Sequence, residues 1–246
     1  MIKIKNLGER GEIEITGIVI DDTDANWLDM EDGKIIGYVY PEAIKTQLDE
    51  LKGKPIDVHI ASDGGDVGAG IAIYNLLVNH DAPVTAYIDK WAASIASYIC
   101  FAASKIVMPK TNSFMMIHNP KAGMFGDASE LRSVADWLDK LQSMLAETYA
   151  KFSTKTVDEI KALMDKETWL TATECKDLFG DKIEVVDSEL RAVACYSAIK
   201  SAPEALVKPV NETAEAKEDK EAEDVSNDVK NILDKLQRSF NYEEKG

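Results

Sequence analysis

The feature that most constrains the fold of this chain is a regular alternation of strand-like and helix-like segments in its central part. Three short apolar segments are predicted as strands and the two segments between them as helices: strands 56–60, 83–88 and 105–108, and helices from about 67 to 80 and from 95 to 103. This alternation is typical of βαβ units, whose strands form a largely parallel sheet. The loops that follow parallel strands lie at the carboxyl edge of the sheet, where α/β proteins place their functional groups.

Further predicted elements flank this central part and complete one α/β domain. Residues 1–20 are expected to form one or two strands, and the acidic residues 21–26 a solvated polar turn. The remaining predictions are a helix from Pro41 to Gly53, a strand at 114–118, short helices at 157–164 and 171–179, and a strand at 183–186. With 246 residues, of which 45% are hydrophobic, the chain can bury the core that such a domain needs.

The longest periodic segment follows a capping box at residues 127–130. It predicts a helix of about 25 residues and roughly 38 Å, which is longer than one small core needs. Its apolar positions recur every three or four residues: Leu131, Val134, Leu138, Leu141, Leu145 and Phe152. We expect part of this helix to pack against another subunit, because Trp137 and Met144 widen its apolar face. An ordinary long core helix is the alternative.

The composition changes beyond about residue 200, which divides the chain into a domain at 1–200 and a C-terminal extension. Residues 201–224 are predicted to be a disordered acidic linker, because 211–224 contain seven acidic and two basic residues and almost no large apolar ones. Residues 225–246 are predicted to form a short amphipathic helix with one apolar stripe: Val225, Val229, Ile232, Leu236 and Phe240. This helix is too short to be stable alone, so we expect it to dock on a partner or to fray.

Charge and residue usage exclude several classes of function. The net charge of −16 argues against nucleic acid and anionic membrane surfaces as partners. We find neither a signal peptide nor an apolar run long enough to span a membrane, and three cysteines without a CxxC spacing indicate reduced thiols in the cytoplasm. No zinc-binding spacing and no phosphate-binding loop are present, so we expect no metal and no cofactor. His59 and His80 are predicted to be structural.

Four features, three of them at the ends of predicted strands, suggest nucleophilic catalysis. Ser94 is flanked by small residues between a strand and a helix, and His118 ends another strand. A serine hydroxyl is a poor nucleophile unless a base takes its proton, and an acid, here Asp165 or Glu167, must orient that base. The Gly64-Gly65 segment could bring backbone N–H groups close to a reacting carbonyl. Each feature also has a structural explanation, namely a packing or cap serine, a core histidine and a plain tight turn.

Taken together, these segments resemble the ClpP-like serine peptidases over about residues 15–187. Four motifs occur in that family's order: 62–66 resembles its Ser-Pro-Gly-Gly turn, 92–97 its Ala-Ala-Ser-Met nucleophile motif, 116–120 its Met-Ile-His-Gln-Pro motif, and 167–172 the segment that carries its acid. The resemblance implies an α/β, ClpP/crotonase-like ββα-repeat fold with a protruding long handle helix, followed here by a flexible acidic C-terminal extension. It also implies a homo-oligomer, as a heptameric ring or a stacked double ring.

The same resemblance assigns roles to five residues: Ser94 as the nucleophile, His118 as the base, Glu167 as the acid, and the backbone N–H groups of Gly65 and Ile95 as the oxyanion hole. Asp165 stays an alternative to Glu167, because the chaperone-linked members of the family have Asp as the acid. The implied activity is that of a serine endopeptidase with an acyl-enzyme mechanism. Its substrate would be an extended peptide or protein segment that adds to a strand edge.

Departures from the family's motifs favour one of its branches. Asp63 replaces the proline of the first motif, Lys90 replaces a glycine near the nucleophile, and the acidic extension has no counterpart in the housekeeping enzymes. These traits are more similar to the head-maturation proteases of tailed phages, which cleave scaffold and capsid protein inside the prohead in the host cytoplasm. The alternatives are a proteolytic subunit fed by an ATP-dependent unfoldase and a catalytically inactive scaffold with the same fold. A crotonase-type acyl-CoA enzyme shares the fold but needs no Ser–His pair at these positions.

Overall fold

The structure, a computed structural model, describes residues 5–6, 10–26 and 37–187. The predicted acidic linker at 201–224 and the predicted C-terminal helix at 225–246 lie outside the described residues. Within the described residues, nine strands form one mixed sheet: β1 (Lys5–Asn6), β2 (Gly11–Val19), β3 (Tyr38–Val39), β4 (Ile56–Gly65), β5 (Val84–Ala93), β6 (Lys105–Pro109), β7 (Phe114–Ile117), β8 (Thr168–Thr171) and β9 (Ile183–Val186).

The central strands of the sheet are parallel, as the strand–helix alternation predicts. They are ordered β1-β2-β4-β5-β6-β9, and every pair from β2 to β9 in this order is parallel. The first half of β5 pairs with β6, and its last three residues pair with β7. β8 runs antiparallel to β7. This arrangement holds β7 beside the carboxyl end of β5, directly before Ser94.

Helices connect the strands, and in the described part of the chain they are α1 (Asp22–Ala25), α2 (Pro41–Glu50), α3 (Val67–Val78), α4 (Ile95–Cys100), α5 (Ala128–Lys151), α6 (Val157–Asp165) and α7 (Ala172–Phe179). The predicted capping box of α5 is formed, because Asp127 and Glu130 each accept from the other's backbone N–H. Thr156 and Thr171 start α6 and α7 with boxes of the same kind. None of these described helices is long and apolar enough to cross a membrane.

Several elements differ from the sequence predictions. β4 and β5 extend beyond the predicted strands at 56–60 and 83–88, since β4 continues its pairing with β2 as far as Gly65. The predicted Gly-Gly turn at 62–66 is therefore the end of a strand and the cap of α3. The polar turn expected at 21–26 contains α1, which forms because the Asp21 side chain caps it. β3 and β8 were not predicted, and α4 ends at Cys100 instead of residue 103.

Helix α5 has 24 residues and lies on the core only in its last third. Leu145, Ala146 and Tyr149 are its buried residues. Nearer its beginning, Leu131 and Trp137 remain 47% and 53% exposed. The prediction of a long protruding helix is thus confirmed. Among the described residues, none covers the apolar side chains of Leu131 and Trp137 at the N-terminal part of α5.

Candidate active site

Ser94 occupies a sharp turn between β5 and α4. Its backbone has a φ of 55° and a ψ of −131°, a conformation that residues other than glycine rarely adopt. Hydrogen bonds hold the turn on both sides, since Ser94 N donates to Met116 O at 3.0 Å and Ser97 Oγ donates to Ser94 O at 2.6 Å. Every residue of α4 is buried. The strained turn therefore rests on a closely packed support.

Gly64 allows the end of β4 to approach the Ser94 turn. A Cβ atom at Gly64 would lie 2.7 Å from Ser94 Cβ and 3.1 Å from Ile95 N, and a Cβ atom at Gly65 would lie 2.0 Å from Val19 O. Both glycines also have a positive φ, so a residue with a side chain would be strained here as well as crowded. Ile95 N is the first N–H group of α4 and has no partner within the helix. The strand end that carries Gly65 and the turn that carries Ile95 are thus in direct contact.

His118 follows β7 and places its imidazole against the serine. Its Nε2 atom lies 2.7 Å from Ser94 Oγ, a hydrogen-bond distance, although 24 residues separate the two. The register of β5 and β7, with Ala93 opposite Met116, sets this distance. The predicted nucleophile and base are therefore brought together. Beside them lies a cavity of about 10 Å³ that is also lined by Val67, Ile95, Pro120, Leu145 and Tyr149.

Glu167 lies on the other side of the imidazole, but the two side chains are not hydrogen-bonded. Glu167 Oε2 is 3.6 Å from His118 Nδ1, an ion-pair distance that is too long for a hydrogen bond. Nδ1 is buried and has no hydrogen-bond partner among the described residues. The same carboxylate oxygen accepts from Lys121 Nζ at 3.2 Å. Burial, followed by the charge of Lys121, lowers the pKa of His118, and Glu167 opposes this shift only in part.

The end of α6 decides which acid faces the imidazole. Glu167 has a φ of 51° and closes the last turn of α6 through its N–H group, a position at which glycine is more usual. Asp165 is engaged elsewhere, since its Oδ1 accepts from Asn119 Nδ2 at 2.8 Å and from Gln142 Nε2 at 3.0 Å. Gln142 Nε2 also donates to Asn119 Oδ1 at 2.8 Å. The structure places Glu167 beside the imidazole and Asp165 in a separate polar network.

The residues that depart from the family's motifs, Asp63 and Lys90, both contact Trp91. Trp91 Nε1 donates to Asp63 Oδ1 at 2.6 Å, and Lys90 Nζ lies 3.6 Å from the centre of the Trp91 ring. The lysine whose charge acts on His118 is instead Lys121. No motif indicated Lys121 or the polar network around Asp165. The position of Lys121 close to the histidine motif could have indicated that its charge lies near His118.

Other side chains with catalytic potential have structural roles. Cys100 and Cys175 are buried and unpaired, and burial raises the pKa of Cys100 to about 12 and that of Cys175 well above its usual range, so both thiols stay protonated at neutral pH. His59 Nδ1 pairs with Asp89 at 3.0 Å, and His80 Nε2 lies 2.8 Å from a backbone carbonyl. Within residues 10–26 and 37–187, no three His, Cys, Asp or Glu side chains are grouped so as to hold a metal ion.

Comparison with protein families gives one match to the central part of the chain. The model of the Clp protease family matches residues 42–183. This segment includes Ser94, His118 and Glu167 together with both glycines at the end of β4. The match begins within α2 and ends at the start of β9, so it covers most of the described fold.

Individual Clp proteins are also similar to this chain. The chain is 34% identical over 128 residues to the ATP-dependent Clp protease proteolytic subunit of Bacteroides fragilis, and 32% identical over 131 residues to the protein of that name from Oltmannsiellopsis viridis. These matches cover 51% and 52% of this chain and 61% and 66% of the relatives, so the chain spans less than two thirds of their length. A mutant of ClpP1 from Listeria monocytogenes has the same fold, with a TM-score of 0.57 and 21% identity over 72% of this chain and 91% of that chain.

Proposed function

The chain belongs to the Clp protease family, and from this premise we propose that it is a serine endopeptidase that works through an acyl-enzyme intermediate. One observation carries the proposal: Ser94 Oγ lies 2.7 Å from His118 Nε2, at a turn whose φ of 55° is costly for a serine. A nucleophile on a strained turn, within reach of a base, is the arrangement that serine hydrolases use. Family membership and side-chain geometry both support the proposal.

In the proposed reaction, Nε2 of neutral His118 takes the hydroxyl proton of Ser94 while Oγ attacks the carbonyl carbon of the scissile peptide bond. The N–H groups of Gly65 and Ile95 would stabilise the oxyanion that forms. His118 then gives the proton to the leaving amine as the C–N bond breaks. A water molecule, deprotonated by His118 in the same way, hydrolyses the ester and restores the serine. Glu167 would stabilise the imidazolium in both half-reactions.

We propose that the substrate is an extended peptide or protein segment that pairs with a strand edge beside the active site. Within the described residues, β8 pairs with β7 alone, so its other edge is open to a further strand. β7 leads directly into His118, which places this open edge one strand away from the base. The chemistry needs neither a metal ion nor a nucleotide.

A fluorophosphonate probe, which bonds covalently to an activated serine, tests the proposed activity. We expect the wild-type protein to be labelled, and the Ser94→Ala and His118→Ala variants to remain unlabelled. Ser133→Ala, at an exposed position of α5, is the matched control and should be labelled like wild type. Equal labelling of Ser94→Ala would contradict the proposal. A folded wild-type protein that is not labelled would favour the alternative of an inactive scaffold.

For the biological role, we propose cleavage of scaffold or capsid protein during phage head maturation, inside the prohead in the host cytoplasm. The support lies in the sequence, since the acidic segment 211–224 and the amphipathic stripe within 225–246 suit a protein that assembles with a scaffold. The alternative is a proteolytic subunit fed by an ATP-dependent unfoldase. It is supported by the curated relatives, which are ATP-dependent Clp protease proteolytic subunits by name.

Two measurements distinguish these roles. The maturation role predicts that wild-type protein shortens its own C-terminal extension, so that its intact mass falls while that of Ser94→Ala does not. The unfoldase-fed role predicts that a folded, tagged substrate is degraded only when a Clp-type unfoldase and ATP are present. If degradation depends on the unfoldase and the extension stays intact, the proposal of head maturation is wrong.

We also propose that the chain forms a homo-oligomer, as a heptameric ring or a stacked pair of rings. The support is the apolar face of α5, where Leu131 and Trp137 are about half exposed in the single chain. Light scattering should give a lower mass for Trp137→Ser than for wild type. Asp136→Ser, at the adjacent exposed position, should keep the wild-type mass. A wild-type mass for Trp137→Ser would show that this face is not the interface.

A further inference from the structure

One carboxylate oxygen of Glu167 is shared between the ammonium group of Lys121 and the imidazole of His118. Oε2 lies 3.2 Å from Lys121 Nζ and 3.6 Å from His118 Nδ1. Of these two contacts, the one with Lys121 has the length of a hydrogen bond. The acid that should orient the base is therefore bound to a lysine.

The atom that this arrangement leaves without a partner is His118 Nδ1. It is buried, and no atom of the described residues forms a hydrogen bond with it. A buried polar atom without a partner costs free energy, so a carboxylate that faces it should bind it unless something holds the carboxylate back. Lys121 is the group that holds Glu167 in this structure.

The titratable groups that face His118 come from every element around it. Lys121 lies on the segment after β7, Glu167 at the junction of α6 and β8, and Ser94 at the start of α4. Tyr149 of α5 lines the same cavity, with its hydroxyl bound to a serine of α4 at 2.8 Å. Lys121 makes the largest contribution to lowering the pKa of Glu167. Burial makes the largest contribution to lowering the pKa of His118, and Lys121 makes the second largest.

We propose that Lys121 is a positioning residue that holds the Glu167 carboxylate away from His118 Nδ1 in the free protein. The inference rests on the proposed function, because it concerns the acid of the proposed triad. The side chains of Lys121 and Glu167 are 72% and 50% exposed, and exposed ion pairs are weak. A bound substrate or a neighbouring subunit that takes the ammonium group would release the carboxylate to Nδ1. Lys121 thus sets the resting geometry of the site.

The test compares Lys121→Gln, Lys121→Arg and the control Lys155→Gln, which breaks an exposed Lys–Glu pair of similar length (3.4 Å) away from the site. The measurement is the second-order rate of fluorophosphonate labelling between pH 5 and 9 in the full chain. Lys121→Gln should move the acid limb of the profile to higher pH and raise the plateau above it by roughly threefold or more. Lys121→Arg and Lys155→Gln should keep the wild-type limb and plateau.

A merely structural lysine would give a different result. If Lys121→Gln labels more slowly over the whole pH range, or if its acid limb does not move, the proposal is wrong. The titration of the His118 ring, followed by NMR and assigned with His118→Ala, is a second readout that needs no activity. If wild type is never labelled, the proposed function fails. A rise in the titration midpoint of His118 in Lys121→Gln would still support the role of Lys121, and an unchanged midpoint would overturn it.

Discussion

Ser94 Oγ and His118 Nε2 lie 2.7 Å apart because β7 pairs with the last residues of β5. A backbone hydrogen bond also joins the two segments, since Ser94 N donates to the carbonyl of Met116, two residues before the histidine. The nucleophile and the base therefore share one ladder of the sheet. Their distance is insensitive to the loops around them, whereas the acid reaches the imidazole from the end of a separate helix.

The first prediction concerns the identity of the acid. Glu167→Gln removes the charge that would stabilise the imidazolium, and we expect kcat/KM for a peptide substrate to fall by about 10²–10⁴-fold. Asp165→Asn keeps an oxygen that can accept from Asn119 and Gln142, so we expect less than about a tenfold change. Steady-state kinetics on both variants check the prediction. A larger loss in Asp165→Asn than in Glu167→Gln would make Asp165 the acid.

The second prediction concerns the pH dependence of the free enzyme. Only neutral His118 can accept the serine proton, so activity is lost as the pH falls through the pKa of this residue. Burial and then Lys121 lower that pKa from its ordinary value of 6.5, which keeps the imidazole neutral to lower pH. We therefore expect the acid limb of kcat/KM for a small ester to have its midpoint below pH 6.5. A midpoint above 6.5 would show that the charge of Glu167 outweighs burial and Lys121.

The parts of this site that depend on local sequence signals could be predicted from the sequence. The small residues around Ser94 and the capping boxes at Asp127, Thr156 and Thr171 act within a few positions of the chain, and the structure forms the turn and the helix starts that they predict. The alternation of elements also predicted the parallel sheet, because βαβ chirality leaves few other topologies.

The parts that sequence reasoning missed depend on contacts between distant segments. The Gly64–Gly65 segment was expected to turn, but it stays in β4 because β2 continues to pair with it as far as Val19. The resemblance assigned Glu167 as the acid, but the residues by themselves left Asp165 open, because the positions of the two side chains depend on a left-handed residue at the end of α6 and on a hydrogen bond from Gln142. Neither feature has a signal in the local sequence.

The third prediction concerns the hydrogen bond that supports the nucleophile turn from behind. Tyr149 OH and Ser97 Oγ lie 2.8 Å apart in a fully buried position, and Ser97 Oγ in turn donates to Ser94 O. Tyr149→Phe leaves the serine hydroxyl with one partner fewer, and we expect a loss of about 1–2 kcal/mol in the free energy of unfolding. Urea denaturation measures this loss. Tyr74→Phe, at a partly buried ring, is the control and should change stability by less than about 0.5 kcal/mol.

The fourth prediction uses two glycines of α3 that differ in their surroundings. A Cβ atom at Gly70 would lie 2.1 Å from Ile95 Cγ1, whereas a Cβ atom at Gly68 meets only the Asp66 carboxylate, at 3.2 Å. Ile95 is buried and directly follows Ser94, so Gly70→Ala must displace the residue that completes the nucleophile turn. We expect this variant to lose about 1–3 kcal/mol of stability and to react more slowly with fluorophosphonate.

Gly68→Ala is the matched substitution, because it places the same side chain in the same helix at an exposed position. Alanine is favoured over glycine in a helix by about 1 kcal/mol, which should offset the tight contact with the Asp66 carboxylate and leave stability equal to or above that of wild type. In urea unfolding and probe labelling, Gly70→Ala should therefore fall below wild type, whereas Gly68→Ala should not. If Gly70→Ala is as stable and as reactive as Gly68→Ala, then α3 does not constrain the Ser94 turn, and the support for its strained backbone must come from the Met116 and Ser97 hydrogen bonds alone.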